Sequence, residues 1–162
     1  MAVRIKNRHR LKDREVKEFA ATIHKKLHGD FLNEKDTVDT GTIEEFTVLL
    51  VNDSIDFLIQ DSNILFTLQG LLKHRPSTHF VIVDMGAVGF IVKGADVMAP
   101  GITEADQLIQ KDDFVWICDQ KYRKPLATGT ALMSGEEMKT KKPGKAVKTL
   151  QYVGDRFWML TH

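Results

Sequence analysis

Residues Val83 to Ile102, VDMGAVGFIVKGADVMAPGI, constrain this chain more than any other stretch. The run Phe80 to Asp84 that leads into it is β-branched and of strand type. Gly86 then opens a short apolar segment, Ala87 to Val92, which Lys93 and Gly94 close as a helix end would. Asp96, Pro100 and Gly101 bracket Val97 to Ala99, leaving room for only a very short strand. Gly86, Gly89, Gly94 and Gly101 leave backbone uncovered, so another backbone or a ligand can come close.

Further motifs follow in order. Asp112-Asp113-Phe114-Val115-Trp116-Ile117 reads as an acidic turn and a strand, and Pro125-Leu126-Ala127-Thr128-Gly129 as another strand. Gly144-Lys145-Ala146-Val147 and Tyr152-Val153-Gly154-Asp155 read as a closing hairpin. Together these motifs resemble the PUA domain, a small RNA-binding β-barrel module of RNA-modifying enzymes and translation proteins, over roughly residues 78 to 161. Thr128 stands where that family usually has Val, and Gln151 precedes Tyr152 where His is common. In PUA domains RNA lies against the first helix, the strand after it and the final strands. The resemblance therefore implies an RNA site at Lys93, Gly94, Ala95, Asp96, Met98, Pro100 and Gly101. Exposed backbone groups there can bond an unpaired base edge, and Lys93 can meet a phosphate. The alternative is that the glycines merely close a tight barrel corner.

The first half reads differently. Val16, Phe19, Ala20, Ile23 and Leu27 recur at helical spacing, so Asp13 to Leu27 is an expected helix, with Asp13 as its cap and Gly29 as its end. Thr37 to Gln60 reads as a strand meander, with Asn52-Asp53-Ser54 turning between Phe46–Val51 and Ile55–Ile59. Ile64 to His74 is expected to be a helix that ends before Arg75-Pro76. Pro76-Ser77-Thr78 marks the boundary. A helix, a meander and the segment Phe66 to Lys73 ahead of a PUA domain resemble the pre-PUA domain of the malignant T-cell amplified sequence family and its archaeal relatives. The expected fold is α+β: a pre-PUA α/β domain at 1–77 (a helix plus antiparallel strands), then a PUA pseudo-β-barrel at 78–162. In that family the eukaryotic protein acts with a partner protein on the small ribosomal subunit. The resemblance thus implies a role in initiation or recycling.

Charge adds an independent hint. The net charge is only +1, yet residues 1–29 hold nine Lys/Arg and three acids, while residues 30–61 hold one Lys and nine acids. A chain polarised this way can show one face to a polyanion and another to a basic partner. Lys139, Lys141, Lys142, Lys145 and Lys148 form the densest late basic cluster, and Lys121, Arg123 and Lys124 a second basic loop. Such loops can track phosphates without reading sequence, or simply be solvated surface. Arg4, Lys6, Arg8, Arg10, Lys12 and Arg14 form a charged comb if extended, which suits rRNA and equally suits a blunted edge strand.

Catalytic candidates are thin. One cysteine, Cys118, rules out an internal disulfide framework, fits a reducing cytosol, and reads as a small buried hydrophobe. Asp84 reads as a turn-stabilising carboxylate. His24 and His28 stand four apart on the first helix, but nothing in the sequence completes a metal site. Walker, GxSxG, dinucleotide and HExxH motifs do not occur. The expectation is a non-catalytic, cytoplasmic RNA-binding protein of the translation apparatus, without cofactor or metal, contacting tRNA or small-subunit rRNA rather than DNA or membrane. Its N-terminal domain could take a protein partner. The alternative is an accessory RNA-binding subunit for a pseudouridine synthase or transglycosylase; a small enzyme using Asp84 and the histidines is a third.

Overall fold

The computed structural model describes residues 4–140 and 143–162. The chain forms two compact units that divide between Arg75 and Pro76, with Leu160–His162 grouped with the first.

The first unit runs β1 (Lys6–Arg10), α1 (Asp13–Leu27), β2 (Val38–Ile43), β3 (Phe46–Val51), β4 (Ser54–Gln60), β5 (Asn63–Phe66) and α2 (Leu68–His74). Its strands form one sheet in the order β1-β2-β3-β4-β5, every pair antiparallel. Helix α1 has the bounds its periodicity predicts and buries Ile23 and Leu27. Its ends differ from expectation by one residue each. The chain enters at Lys12, whose N–H donates to Glu15 Oε1 at 3.1 Å, and it leaves through His28, left-handed at φ 62°. Asp13 is the first residue inside the helix rather than its cap, and Glu15, three residues after Lys12, reaches back to the Lys12 N–H. Between β3 and β4, Asn52 and Asp53 both have positive φ (51° and 69°), the tight turn that matches strand twist.

The expected helix from Ile64 to His74 is a strand and then a shorter helix. Ile64, Leu65 and Phe66 pair with Ile59, Leu58 and Phe57 and are buried against them. Thr67 makes the switch: its hydroxyl donates to the Ile55 carbonyl at 2.7 Å and accepts the Gly70 N–H at 2.9 Å. The apolar run has no period that separates a buried strand from a helix, so tertiary pairing decides. Beneath α2, Asp56 is fully buried. It accepts from Lys73 Nζ at 2.8 Å and from the Ser54 hydroxyl, and His74 Nε2 lies 2.7 Å away. His74 also stacks on Phe57 at 5.6 Å between centroids.

The charged comb is broken. Asn7 is left-handed (φ 55°) and the β1 register shifts between Lys6 and His9, which ends the alternation. Arg8 Nε donates to Asp39 at 2.8 Å, its Nη2 reaches Asp53, and Arg10 also bonds Asp39. Burial pushes the Asp39 carboxyl up, but the two arginines outweigh this and hold it below the usual carboxylate range. Thus β1 is an edge strand whose cations partly neutralise the acidic stretch of its own unit.

The second unit runs β6 (Phe80–Val83), α3 (Met85–Ile91), β7 (Val97–Met98), a 3-10 turn (Ala99–Gly101), β8 (Ile102–Ala105), β9 (Phe114–Asp119), β10 (Pro125–Ala131), α4 (Gly135–Lys139), β11 (Lys145–Tyr152) and α5 (Arg156–Thr161), whose last two residues group with the first unit. Its strands follow the order β7-β11-β10-β9-β6-β8, with only β6 and β9 parallel. The strands wrap Val81, Val83, Ile91, Val97, Ile102, Ile117, Ala127 and Val147 into one core. The expected closing hairpin is instead a single strand. Lys145 to Tyr152 contains no Gly or Pro to break it and runs as one strand beside β10, with a register shift opposite Thr128 and Gly129. Among the described residues no helix is long and apolar enough to cross a membrane.

Candidate nucleic-acid interface

The loop from Asp84 to Gly101 is closed by its own backbone. The Asp84 N–H donates to the Gly101 carbonyl at 2.9 Å, and Asp84 Oδ1 accepts the Ala87 N–H at 2.9 Å, starting α3. Asp84 is the turn-stabilising carboxylate its position suggests. At the far end Gly94 takes φ 91°, and a side chain there would have its Cβ 2.9 Å from Tyr152 Cε1. The Gly94 N–H bonds the Ile91 carbonyl at 2.9 Å and the Ala95 N–H the Phe90 carbonyl at 3.1 Å. Asp96 then fixes β7 to β11. Its Oδ1 accepts the Thr149 N–H at 3.0 Å, while the Thr149 hydroxyl donates to the Ala95 carbonyl at 2.9 Å.

Between α3, β7 and the start of β11 lies a cleft of about 610 Å³. Of the residues expected from sequence, Ala95, Asp96, Met98, Pro100, Gly101 and Lys145 line it together. Lys93 and Gly94 are not in the lining, and Gly94 serves instead as the close-packed bend over Tyr152. The lining also holds Asp84, which the sequence offered as a turn carboxylate rather than as an RNA contact, and Phe90, which sequence reasoning did not select. Phe90 is 69% exposed and Met98 47% exposed, so an aromatic ring and a thioether face solvent at the mouth. Phe90 lies inside an apolar helix of seven residues, too short for a hydrophobic stripe to show which side faces out.

The charge of the cleft decides what fits it. The Thr149 N–H holds the Asp96 carboxyl below its usual range, and Lys145 Nζ, 3.3 Å away, adds to this against the opposing effect of burial. Two carboxylates and one already paired lysine do not attract a phosphate. They suit a flat, hydrogen-bonding group with little net charge, such as an unpaired base: Phe90 and Met98 offer contact area, and Asp96 has lone pairs left to accept an exocyclic amine.

The two basic loops leave opposite ends of β10. Lys121, Arg123 and Lys124 precede Pro125, its first residue, whereas Lys139 and Lys145 follow Ala131, its last. Seven strand residues separate those ends by roughly 20 Å. Lys145 therefore joins the cleft, Lys139 ends α4, and the loop at 121–124 is a separate patch. Lys141 and Lys142 lie outside the described residues.

Cys118 is the small buried hydrophobe its sequence context suggests. Burial pushes its thiol up to about 11, so it is protonated at neutral pH. His24 has Asp30 Oδ1 2.8 Å from its Nδ1.

The PUA domain family matches residues 79–153, and a domain of unknown function, DUF1947, matches residues 7–74. An uncharacterized protein of Methanocaldococcus jannaschii is 39% identical over 160 residues, covering 95% of this chain and 96% of its own. Translation machinery-associated protein 20 of Eremothecium gossypii is 30% identical over 71% of this chain and 67% of its own. The malignant T-cell-amplified sequence 1 homolog of Drosophila melanogaster is 29% identical over 78% and 73%. The crystal structure of a hypothetical protein from Pyrococcus horikoshii is 38% identical and superposes with a TM-score of 0.86 over 96% of this chain and 99% of that one.

Proposed function

The chain belongs to the PUA-domain family, in the branch that carries DUF1947 as its N-terminal half, and on that premise we propose that it is an RNA-binding protein of the translation apparatus. The observation that carries the reading is the cleft at Phe90, Asp96, Met98 and Lys145, built for an unpaired base beside a Gly/Pro-rich backbone. The printed names of its eukaryotic relatives, one of them a translation machinery-associated protein, supply the setting. Its RNA is tRNA or small-subunit rRNA, held near a single-stranded end during initiation or recycling. It works in the cytoplasm by steric and electrostatic placement, without bond chemistry, and its N-terminal unit is the side for a protein partner.

Phe90 stacks on the base, Asp96 bonds its edge, and basic residues outside the cleft meet the flanking phosphates. The test is fluorescence anisotropy at fixed salt with two RNA hairpins, one blunt and one carrying a single-stranded 3′ tail. The tailed RNA binds more tightly, and Phe90→Ala loses about tenfold on it alone. Equal binding of both hairpins, unchanged by Phe90→Ala, would remove the cleft from the reading.

A further inference from the structure

We propose that the turn between β9 and β10 is a second RNA contact, where Tyr122 stacks on an unpaired base and Lys121, Arg123 and Lys124 hold the adjoining phosphates. The proposal rests on the RNA-binding reading but concerns a different place on the same unit.

Tyr122 is 68% exposed, so its ring contributes little to the core. Its backbone, by contrast, is firmly held. Asp119 is buried, its Oδ1 accepts the N–H groups of Lys121 (2.8 Å) and Tyr122, and its carbonyl accepts the Arg123 N–H at 3.1 Å. Arg123 is left-handed at φ 57°, and the Gln120 N–H is fixed to the Val83 carbonyl at 3.0 Å. A ring presented on a fixed turn loses little loop entropy when something stacks on it. Lys121 Nζ lies 5.1 Å from the Tyr122 ring centroid, which occupies one face and leaves the other for a base.

The surroundings select the ligand. Lys121, Arg123 and Lys124 flank the ring, and no acid occurs from Gln120 to Thr130. An aromatic among cations is the pattern that binds single-stranded nucleic acid: π-faces accept any base, and the cations follow the phosphates. The position links the two sites. Gln120 is anchored to Val83, whose neighbour Asp84 lines the cleft, so one backbone hydrogen bond ties the base of the turn to the strand that leads into the cleft. The cations at 121–124 are thus not a diffuse electrostatic patch but the rim of a stacking platform.

The test uses the full chain and a single-stranded RNA of about twelve nucleotides carrying one 2-aminopurine, with a blunt RNA hairpin as control. Tyr122→Ala weakens the single strand about tenfold, reduces the stacking quench of 2-aminopurine and leaves the salt slope unchanged, while Tyr122→Phe binds as wild type. Affinity for the blunt hairpin, closed by a compact four-base loop whose bases stack within it, stays within about twofold, because its paired bases offer no free face. If Phe90→Ala weakens binding and Tyr122→Ala does not, the second contact is wrong and the cleft reading stands. If the wild-type chain binds neither RNA, both fall.

Discussion

Lys145 Nζ stands 3.3 Å from Asp96 Oδ2, so the one lysine that lines the cleft among the described residues faces a carboxylate that also holds the Thr149 backbone. The pair closes β7 onto β11 and removes most of the charge a phosphate would look for. Asp96 therefore has two separable roles, one structural through Thr149 and one electrostatic through Lys145.

Asp96→Asn separates them. The amide oxygen still accepts the Thr149 N–H, but Lys145 loses its counter-charge. The log–log salt slope of RNA binding steepens by up to about one phosphate contact, as a freed lysine allows, while affinity does not rise at high salt, because the amide nitrogen in place of Oδ2 cannot accept from the base edge. Stability falls by about 1 kcal/mol, because an amide is a weaker acceptor than a carboxylate. Anisotropy titrations across salt and a urea melt read the two effects.

Asp56 governs the acid limb of stability in the first unit. Burial raises its pKa, but hydrogen bonds from His74, Lys73 and Ser54 outweigh this, and the folded value lies below the ordinary 3.8. A lowered folded pKa gives stability that is present above the unfolded value and lost as pH falls through the folded one. The wild type thus loses stability as pH drops below about 4. Asp56→Asn costs about 3 kcal/mol at pH 7, since it leaves the ammonium of Lys73 without its buried counter-charge, and its loss on going to about pH 3 is smaller than that of the wild type. Urea unfolding at the two pH values checks both statements.

Two glycines a few residues apart should respond oppositely to alanine. Gly94 has φ 91° and Tyr152 directly against it, so Gly94→Ala costs about 1–3 kcal/mol. Gly89 lies inside α3 with open space around its Cβ position, so Gly89→Ala is neutral or stabilises by up to about 1 kcal/mol. Thermal melts of the two variants decide this.

These contrasts also show what the sequence made legible. The α1 bounds, the Asn52-Asp53 turn and the Asp84 cap rest on local rules of periodicity, turn chemistry and capping, and the structure follows them. The gathering of Ala95, Asp96, Met98, Pro100 and Gly101 came with the family resemblance. What was not legible depended on distant partners. Ile64 to Phe66 became a strand because β4 was there to pair with it. Arg8 and Arg10 left the comb because Asp39, far along the chain, bonds both. Phe90 and Tyr122 look like any other aromatics until the fold shows that both face water.

The central claim is that the Phe90 cleft engages RNA of the translation machinery. Its most direct test is the binding of wild type and Phe90→Ala to purified small ribosomal subunits and to free deacylated tRNA, at several salt concentrations. The account predicts a clear preference for one of these RNAs, affinity that falls log-linearly with salt, and a loss of about tenfold in Phe90→Ala at every salt. Weak, equal binding to both, unchanged by Phe90→Ala, would contradict it.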